Sequence, residues 1–550
     1  MTPTSSDPAS ALVHRYWEGL LELEPLIGTM VGDERFDDRL SDPGEAGLER
    51  RRSFQQGALD ELAIIDRAGL DVTMRTTLDV MESIAQREVA EIAHRFDRLQ
   101  VVSHLWGPGQ LLAELGSMQR ADTPERLERY LTRLAAIPAY LASVDEVIRD
   151  AVASGTLAPK VVAERAVGQV ERLLAIDADG SPALGALEED DADGRARVVA
   201  AVREVVNPAF ERYLQGLRQY LPHATDTIGL SALPDGDAMY ATQILAWTTL
   251  PLEAQEIHDI GVERLASIQE ERREIASSLG FSSAAEAVAA HTAAGHNTAA
   301  SREDLLRVAR EQVQRGWDAA PAFFGRLPSD NCEVHLVEEF READMPFAFY
   351  QPPTADGSRA GVYYVNAYDL PTRPLHHLAT TSYHEANPGH HFQLTIEQEI
   401  PDRPALRSFG GILAGSAFVE GWGLYSERLA DEMGLFLDEF ERLGMLDAQA
   451  HRAARLVTDT GIHALDWSRA QSIQVLEDAG VPPTDAAIEI DRYIAMPAQA
   501  LSYMVGMIEV ERARETAVAK DGEDFSLPAF HDRILALGSL PLPSLLRELG

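Results

Sequence analysis

Cysteine is almost absent: Cys332 is the only one in a chain of 550 residues. An intrachain disulfide is excluded, and so is any zinc site built on several thiolates. A metal bound by this chain must therefore rely on histidine and carboxylate ligands. Positive charge is also scarce, with 48 Lys and Arg set against 88 Asp and Glu for a formal net charge of −40. A field of that sign repels phosphate backbones and argues against nucleic acid as a partner. Its plain consequence is a solvated acidic surface; a preference for cationic substrates is the weaker reading. Apolar runs of about 18 residues are missing, so no membrane-spanning helix and no membrane partner are expected. The opening residues, MTPTSSDPASALVHRYWEG, lack a basic segment followed by an apolar one. No signal peptide is therefore expected, and the expected location is the cytoplasm. The sequence sets no oligomeric state.

What is present is ample apolar material. Hydrophobic residues make up 45% of the chain, enough for a large core, and the length favours two domains or a helical body split by a cleft. Helical periodicity dominates. Thr123-Pro124-Glu125 opens one helix with an N-cap, a first-turn proline and an acid, Leu127, Tyr130, Leu131 and Leu134 follow at helical spacing, and Gly155 is a stop. Ser301 caps another helix. Residues 177–194, rich in Gly, Pro, Asp and Glu, read as a loop. Near residue 331 the character changes. Cys332–Val337 and Gly361–Asn366 alternate as strands do, with an Asp356-Gly357 turn before the second. The expected fold is thus mainly α, a large helical body with a small β-sheet beside the metal-site helix. Its expected division is an N-terminal helical domain over 1–330 and a catalytic domain over 331–550.

The chemistry concentrates in His384-Glu385-Ala386-Asn387-Pro388-Gly389-His390-His391. In the HExxH pattern two histidines four apart share one helical face and grip zinc while the Glu acts as general base. Here the spacing is stretched. Six residues of ideal helix turn about 600°, which points His390 roughly 240° away from His384, and seven residues carry His391 about 10 Å along the axis. Neither arrangement lets two imidazoles reach one ion at about 2.0–2.1 Å. The helix must break, and Pro388-Gly389 is where it can. A break there brings His390 beside His384 and makes it the preferred second ligand over His391. The third ligand is expected from Glu420 in Phe418-Val419-Glu420-Gly421-Trp422-Gly423, where the glycines admit a close neighbour. Glu427, seven positions on, lies on nearly the same face and suits an orienting role. His376 and His377 are read as capping or packing residues, because three side chains already complete a ligand set.

On these residues the chain resembles a bacterial family known only as a domain of unknown function, number 885. Its hallmark is similar to His-Glu-x-x-x-Gly-His-x-x-Gln, supplied here by His384, Glu385, Gly389, His390 and Gln393. Arg15-Tyr16-Trp17, Gly32–Asp38, Val419–Trp422, Arg455–His463 and Pro497–Tyr503 look like further family blocks, so the resemblance spans nearly the whole chain. It implies a zinc-peptidase-like, zincin-like protein whose architecture is similar to the helical oligopeptidases of the thimet and neurolysin type, a large helical body with a deep cleft.

The expected activity is zinc-dependent hydrolysis of oligopeptides. His384, His390 and Glu420 would hold Zn²⁺, and Glu385 would take a proton from water as it attacks an amide carbonyl. Tyr503 is the first choice for stabilising the oxyanion, followed by His463 and His391. The Gly361–Asn366 strand, with Tyr363 and Tyr364, is expected to hold an extended substrate along its edge, although buried aromatics more often belong to a core. Arg359 or Arg492 would meet a substrate carboxylate. Two rival readings remain. One is a zinc amidase acting on a non-peptide amide or a modified amino acid. The other is a non-catalytic helical binding protein with a relic metal site.

Overall fold

The structure is a computed structural model, and it describes residues 7–188, 190–339, 342, 345–353, 360–409 and 412–550. The chain folds mainly into α-helices, with one three-stranded sheet among the described residues. It divides into two compact units. The first comprises Met1–Gln243 with Ile462–Arg469 and Ile488–Pro497; the second comprises Ile244–Gly461, Ala470–Ala487 and Ala498–Gly550. The division therefore falls well before the boundary read from the sequence at 330/331. Residues 302–319 form a helix packed on the sheet and on the helix of the metal motif, which places them in the second unit.

In the first unit the longest helix is α1, Pro124–Ser154, capped by the Thr123 side chain and stopped by Gly155 at φ 75°. Tyr130, Leu134, Ile137, Leu141, Val144 and Ile148 form its buried stripe, packed with Phe210, Tyr213 and Leu217. Within the region read as a loop, Ala178–Gly180 and Pro182–Ala186 form short 3-10 turns, and the Asp191 side chain caps the helix that begins at Ala192.

The second unit carries the elements that build the site. In chain order these are α2 (Ala254–Ser278), α3 (Arg302–Ala319), β1 (Glu333–Leu336), β2 (Ala348–Gln351), β3 (Val362–Val365), α4 (Leu375–Glu385), α5 (His390–Gln398), α6 (Ala417–Glu432), α7 (Glu439–Ala464) and α8 (Ser502–Asp521). Ile462 to Ala464 of α7 fall within the first unit. Ser301 caps α3, its Oγ accepting from Asp304 N–H at 3.1 Å. Both strands expected from the sequence form, and a third, β2, joins them. The order is β1-β3-β2, with β1 parallel and β2 antiparallel to β3. Leu305, Ala309 and Val313 of α3 pack with Val334, Tyr363 and Val365 of the sheet and Leu378 of α4 into one apolar cluster. The sheet and α3 thereby hold the start of the metal-motif helix.

The topology corrects one expectation. β3 is the central strand: Val362 to Val365 are paired with β1 on one side and β2 on the other. Its backbone groups are already used, so it has no edge to offer an extended substrate.

Candidate metal centre

α4 ends at Glu385, and Ala386 leaves helical dihedrals at φ −109°, ψ −102°. The Asn387–Pro388 peptide bond is cis, and helix resumes at His390. The required break thus falls at Ala386–Gly389. Gly389 is needed there for steric reasons, since a Cβ would stand 1.9 Å from the His384 carbonyl oxygen and 2.4 Å from that of Tyr383. Trp422 Nε1–H points at the turn and donates to the Pro388 and Gly389 carbonyls at 3.1 and 3.2 Å. Ser426 Oγ–H donates to the Tyr383 carbonyl at 3.1 Å, so α6 clasps the broken helix from both sides of the gap.

The break sets the rings of His384 and His390 edge to face, with centroids 4.7 Å apart. Glu420 faces both, its Oε2 lying 3.8 Å from His384 Nε2 and 3.7 Å from His390 Nε2. All three donor atoms lie within 4.8 Å of one another. Gly423 makes room for them; a Cβ there would meet the His384 ring at 2.8 Å and the His390 ring at 3.0 Å.

Hydrogen bonding fixes what His384 presents. Its Nδ1 lies 2.8 Å from Glu427 Oε1. The His384 hydrogen bond and the Arg452 charge outweigh burial and hold Glu427 below the usual carboxylate range. An ionised carboxylate only accepts, so Nδ1 carries the hydrogen and Nε2 turns a lone pair towards Glu420. A lone pair facing a carboxylate calls for a positive charge between them: a proton on Nε2 in the metal-free chain, or a metal ion that displaces it. Burial lowers the His384 pKa, but Glu420 and Glu427 reverse this and raise it to about 9. Burial raises Glu420, and the two imidazoles outweigh it and push its pKa far down. Two imidazole nitrogens, that of His384 oriented from behind by Glu427, and one carboxylate oxygen are a donor set suited to zinc.

Glu385, the last residue of α4, is pushed above the usual carboxylate range by burial, with His390 and His384 acting against the rise. Arg452 on α7 also lowers it, and lowers Glu427 as well. Tyr503, at the start of α8, lies under the Arg455 guanidinium at 4.5 Å from ring centroid to carbon, with Arg452 at 6.0 Å.

Other expected residues are placed elsewhere. His391 is buried; its Nε2–H donates to the Asp330 carbonyl at 2.9 Å and its Nδ1 lies 3.0 Å from the Tyr350 hydroxyl. Both nitrogens are therefore used in holding the sheet side of the unit. His463 belongs to the first unit. Its Nδ1 accepts from Leu230 N–H at 3.2 Å and its Nε2–H donates to the Tyr493 carbonyl at 3.1 Å, in a site only 1% exposed. Tyr363 is fully buried with its hydroxyl 3.2 Å from Ser382 Oγ, and Tyr364 stacks on Phe349 at 4.9 Å. Arg492 is also in the first unit, 3.8 Å from Glu489 and over the Tyr493 ring. Arg359 lies outside the described residues. Gln393 bonds Glu397 and Ser539 at 3.1 and 3.0 Å and so anchors α5.

Sequence reasoning assigned no role at the centre to three residues that support it: Arg452, whose charge acts on Glu385 and Glu427, Trp422, which bonds the Pro388 and Gly389 carbonyls, and Gln449, which bonds Glu427.

Among curated proteins nothing matches this chain. A solved structure from Colwellia psychrerythraea is 27% identical, with a TM-score of 0.92 and coverage of 98% of both chains. Another, from Shewanella oneidensis, is 20% identical with a TM-score of 0.79 over 99% of both chains, a likeness of fold. Each is described as a "putative lipoprotein", the second as one of unknown function. A family model described as a bacterial protein of unknown function, DUF885, matches residues 25–549. With that match running almost from end to end, the chain belongs to the DUF885 family.

Proposed function

We propose that the protein is a zinc-dependent hydrolase that cleaves amide bonds in oligopeptides. The observation that carries this reading is the convergence of His384 Nε2, His390 Nε2 and a Glu420 carboxylate oxygen within 4.8 Å, with Glu385 next in sequence to the first ligand. When bound, zinc supplies Lewis acidity and lowers the pKa of water towards about 7. Glu385 accepts the proton released by the attacking water and passes it to the leaving nitrogen. A carboxyl raised by burial is better matched to that exchange at neutral pH than an ordinary one. Glu427 holds His384 in the tautomer that presents Nε2. Tyr503, under Arg455, is the donor we assign to the developing oxyanion. The zincin-like, thimet-type resemblance seen in the sequence belongs to the same proposal.

Zinc analysis of the purified protein combined with Glu385→Gln tests this. Glu385→Gln should hold as much zinc as the parent chain and lose activity by about 10²- to 10⁴-fold on a peptide panel. Full activity in that variant ends the general-base assignment, and a parent chain whose zinc content is unchanged by Glu420→Gln ends the ligand assignment. Running a panel of small non-peptide amides beside the peptides separates a peptidase from an amidase. We carry the cytoplasmic location forward as part of the proposal. Two similar structures carry the description "putative lipoprotein", so fractionation of cells is the check, and recovery with membranes overturns it.

A further inference from the structure

The second unit holds another convergence of metal-ligating atoms, and the proposed reaction makes no use of it. His376 and His377 stand in the first turn of α4, and Asp447 stands on α7. The two Nε2 atoms lie 3.4 and 3.3 Å from the same oxygen, Asp447 Oδ2, and the three donor atoms fall within 4.8 Å of one another. The His376 side chain is 5% exposed, Asp447 13% and His377 33%. The group is thus closed on one side and reachable on the other past His377.

The tautomer of His376 is set by its neighbour. Asn297 Oδ1 accepts the backbone N–H of His376 at 3.0 Å and lies 2.9 Å from its Nδ1. The amide of Asn297 is oriented independently, because its Nδ2 donates to Thr292 Oγ1 at 3.0 Å. A carbonyl oxygen only accepts, so Nδ1 carries the hydrogen and Nε2 keeps its lone pair. That lone pair faces a carboxylate oxygen at 3.4 Å. The Nε2–H of His377 can satisfy Oδ2, but nothing in that bond relieves the opposition between the lone pair of His376 and the carboxylate. A cation between them does. The other oxygen, Asp447 Oδ1, lies 2.7 Å from Arg272 Nη2. The Arg272 Nη1 is in turn bonded to Gln269 Oε1 and the Ala479 carbonyl at 2.9 and 3.2 Å. Arg272 therefore holds the carboxylate by one oxygen and leaves the other to the histidines. The first centre has the same design: one ring nitrogen bonded from behind to an acceptor, and the other aimed at an acid.

We propose that His376, His377 and Asp447 form a second site for a divalent ion of the zinc kind, with a structural role. Two imidazoles and one carboxylate without thiolate suit such an ion. The position gives the role. The backbones of α4 and α7 touch here, since a Cβ on Gly444 would stand 1.8 Å from the His376 carbonyl oxygen. Along α4, His376 precedes His384 by eight residues, two turns or about 12 Å. Along α7, Gln449 follows Asp447 and donates to Glu427 Oε2 at 3.3 Å. An ion at this point pins together the two helices that frame the first centre. The proposal does not rest on the peptidase reading.

Full-length protein stripped by a chelator, then dialysed against Zn²⁺ alone, provides the test by counting bound zinc. The parent chain should take two ions, Asp447→Asn one, Glu420→Gln one, and the double variant none. His377→Gln, at the most exposed of the three positions, should weaken one ion at least 10-fold, and it decides the matter where Asp447→Asn does not fold. In the Glu420→Gln background, added zinc should raise the melting temperature, and His377→Gln should remove that rise. The second site is overturned if Asp447→Asn and His377→Gln both bind zinc as the parent does. It is equally overturned if the parent takes a single ion that Glu420→Gln abolishes. A single ion that survives Glu420→Gln and is lost in His377→Gln keeps this site and removes the first centre instead.

Discussion

The carboxylate of Glu427 lies 2.8 Å from His384 Nδ1 and 3.3 Å from Gln449 Nε2, so one buried acid on α6 is tied to both α4 and α7. It faces away from the converging nitrogens and acts by orienting one of them. Glu427→Gln keeps an acceptor for the Nδ1–H but removes the charge that makes the imidazole a stronger donor to a metal. Zinc affinity should fall about 10- to 100-fold without loss of the site, as read by competition with a chromophoric chelator. An affinity within two-fold of the parent would show that Glu427 does not orient the ligand.

Gly389 and Gly423 should separate folding from metal binding. A Cβ at position 389 meets backbone oxygens at 1.9 and 2.4 Å, and these cannot swing aside. Gly389→Ala should therefore cost about 3 kcal/mol or more of stability, at the upper end of overpacking effects. A Cβ at 423 meets imidazole atoms at 2.8 Å, which can rotate away. Gly423→Ala should cost less stability, about 1–2 kcal/mol, yet weaken zinc at least 10-fold by turning both rings. Denaturant unfolding of the metal-free chains and chelator competition on the folded ones read the two effects. The reverse ranking would mean that the rings are not held against α6.

Much of this was legible in the sequence because it rests on local rules. Thr123 and Ser301 are caps, Gly155 a stop, and the period-2 runs near 334 and 363 became β1 and β3. If His384 and His390 bind one ion, their spacing demands a broken helix, and the proline and glycine at 388 and 389 located the break. What stayed hidden was set by tertiary neighbours. The strand β2 has no strong alternation, and it places β3 in the centre of the sheet, where Tyr363 becomes core. His391 and His463 looked available because sequence does not show that the Asp330 and Tyr493 carbonyls occupy them. That Asp447 meets His376 and His377, seventy residues back, was hidden because they come together at the helix contact by Gly444.

Histidines kept neutral inside the fold should make stability fall with acid. His531 is fully buried; its Nδ1–H donates to the Phe323 carbonyl at 2.9 Å and its Nε2 lies 2.9 Å from the Tyr425 hydroxyl. Because Arg514 Nη1 donates to that hydroxyl oxygen at 3.1 Å, the Tyr425 hydrogen is free to point at Nε2. Burial lowers the His531 pKa from 6.5 to about 4, and burial lowers His463 to about 4 in the same way. The unfolded chain, with pKa near 6.5, binds these protons first. The stabilisation is therefore complete above pH 6.5 and is lost as the pH falls towards 4, by about 3 kcal/mol per histidine at pH 4. Other groups titrate in the same window, among them Glu24, which burial raises to about 7, so the difference between variant and parent, and not the slope itself, reports on His531. His531→Gln retains a donor and an acceptor but cannot titrate. Its unfolding free energy, measured by denaturant at each pH, should fall less steeply than that of the parent across the window. Parallel slopes would mean that His531 is not held neutral by the fold, and that its bonds to Phe323 and Tyr425 do not set its protonation.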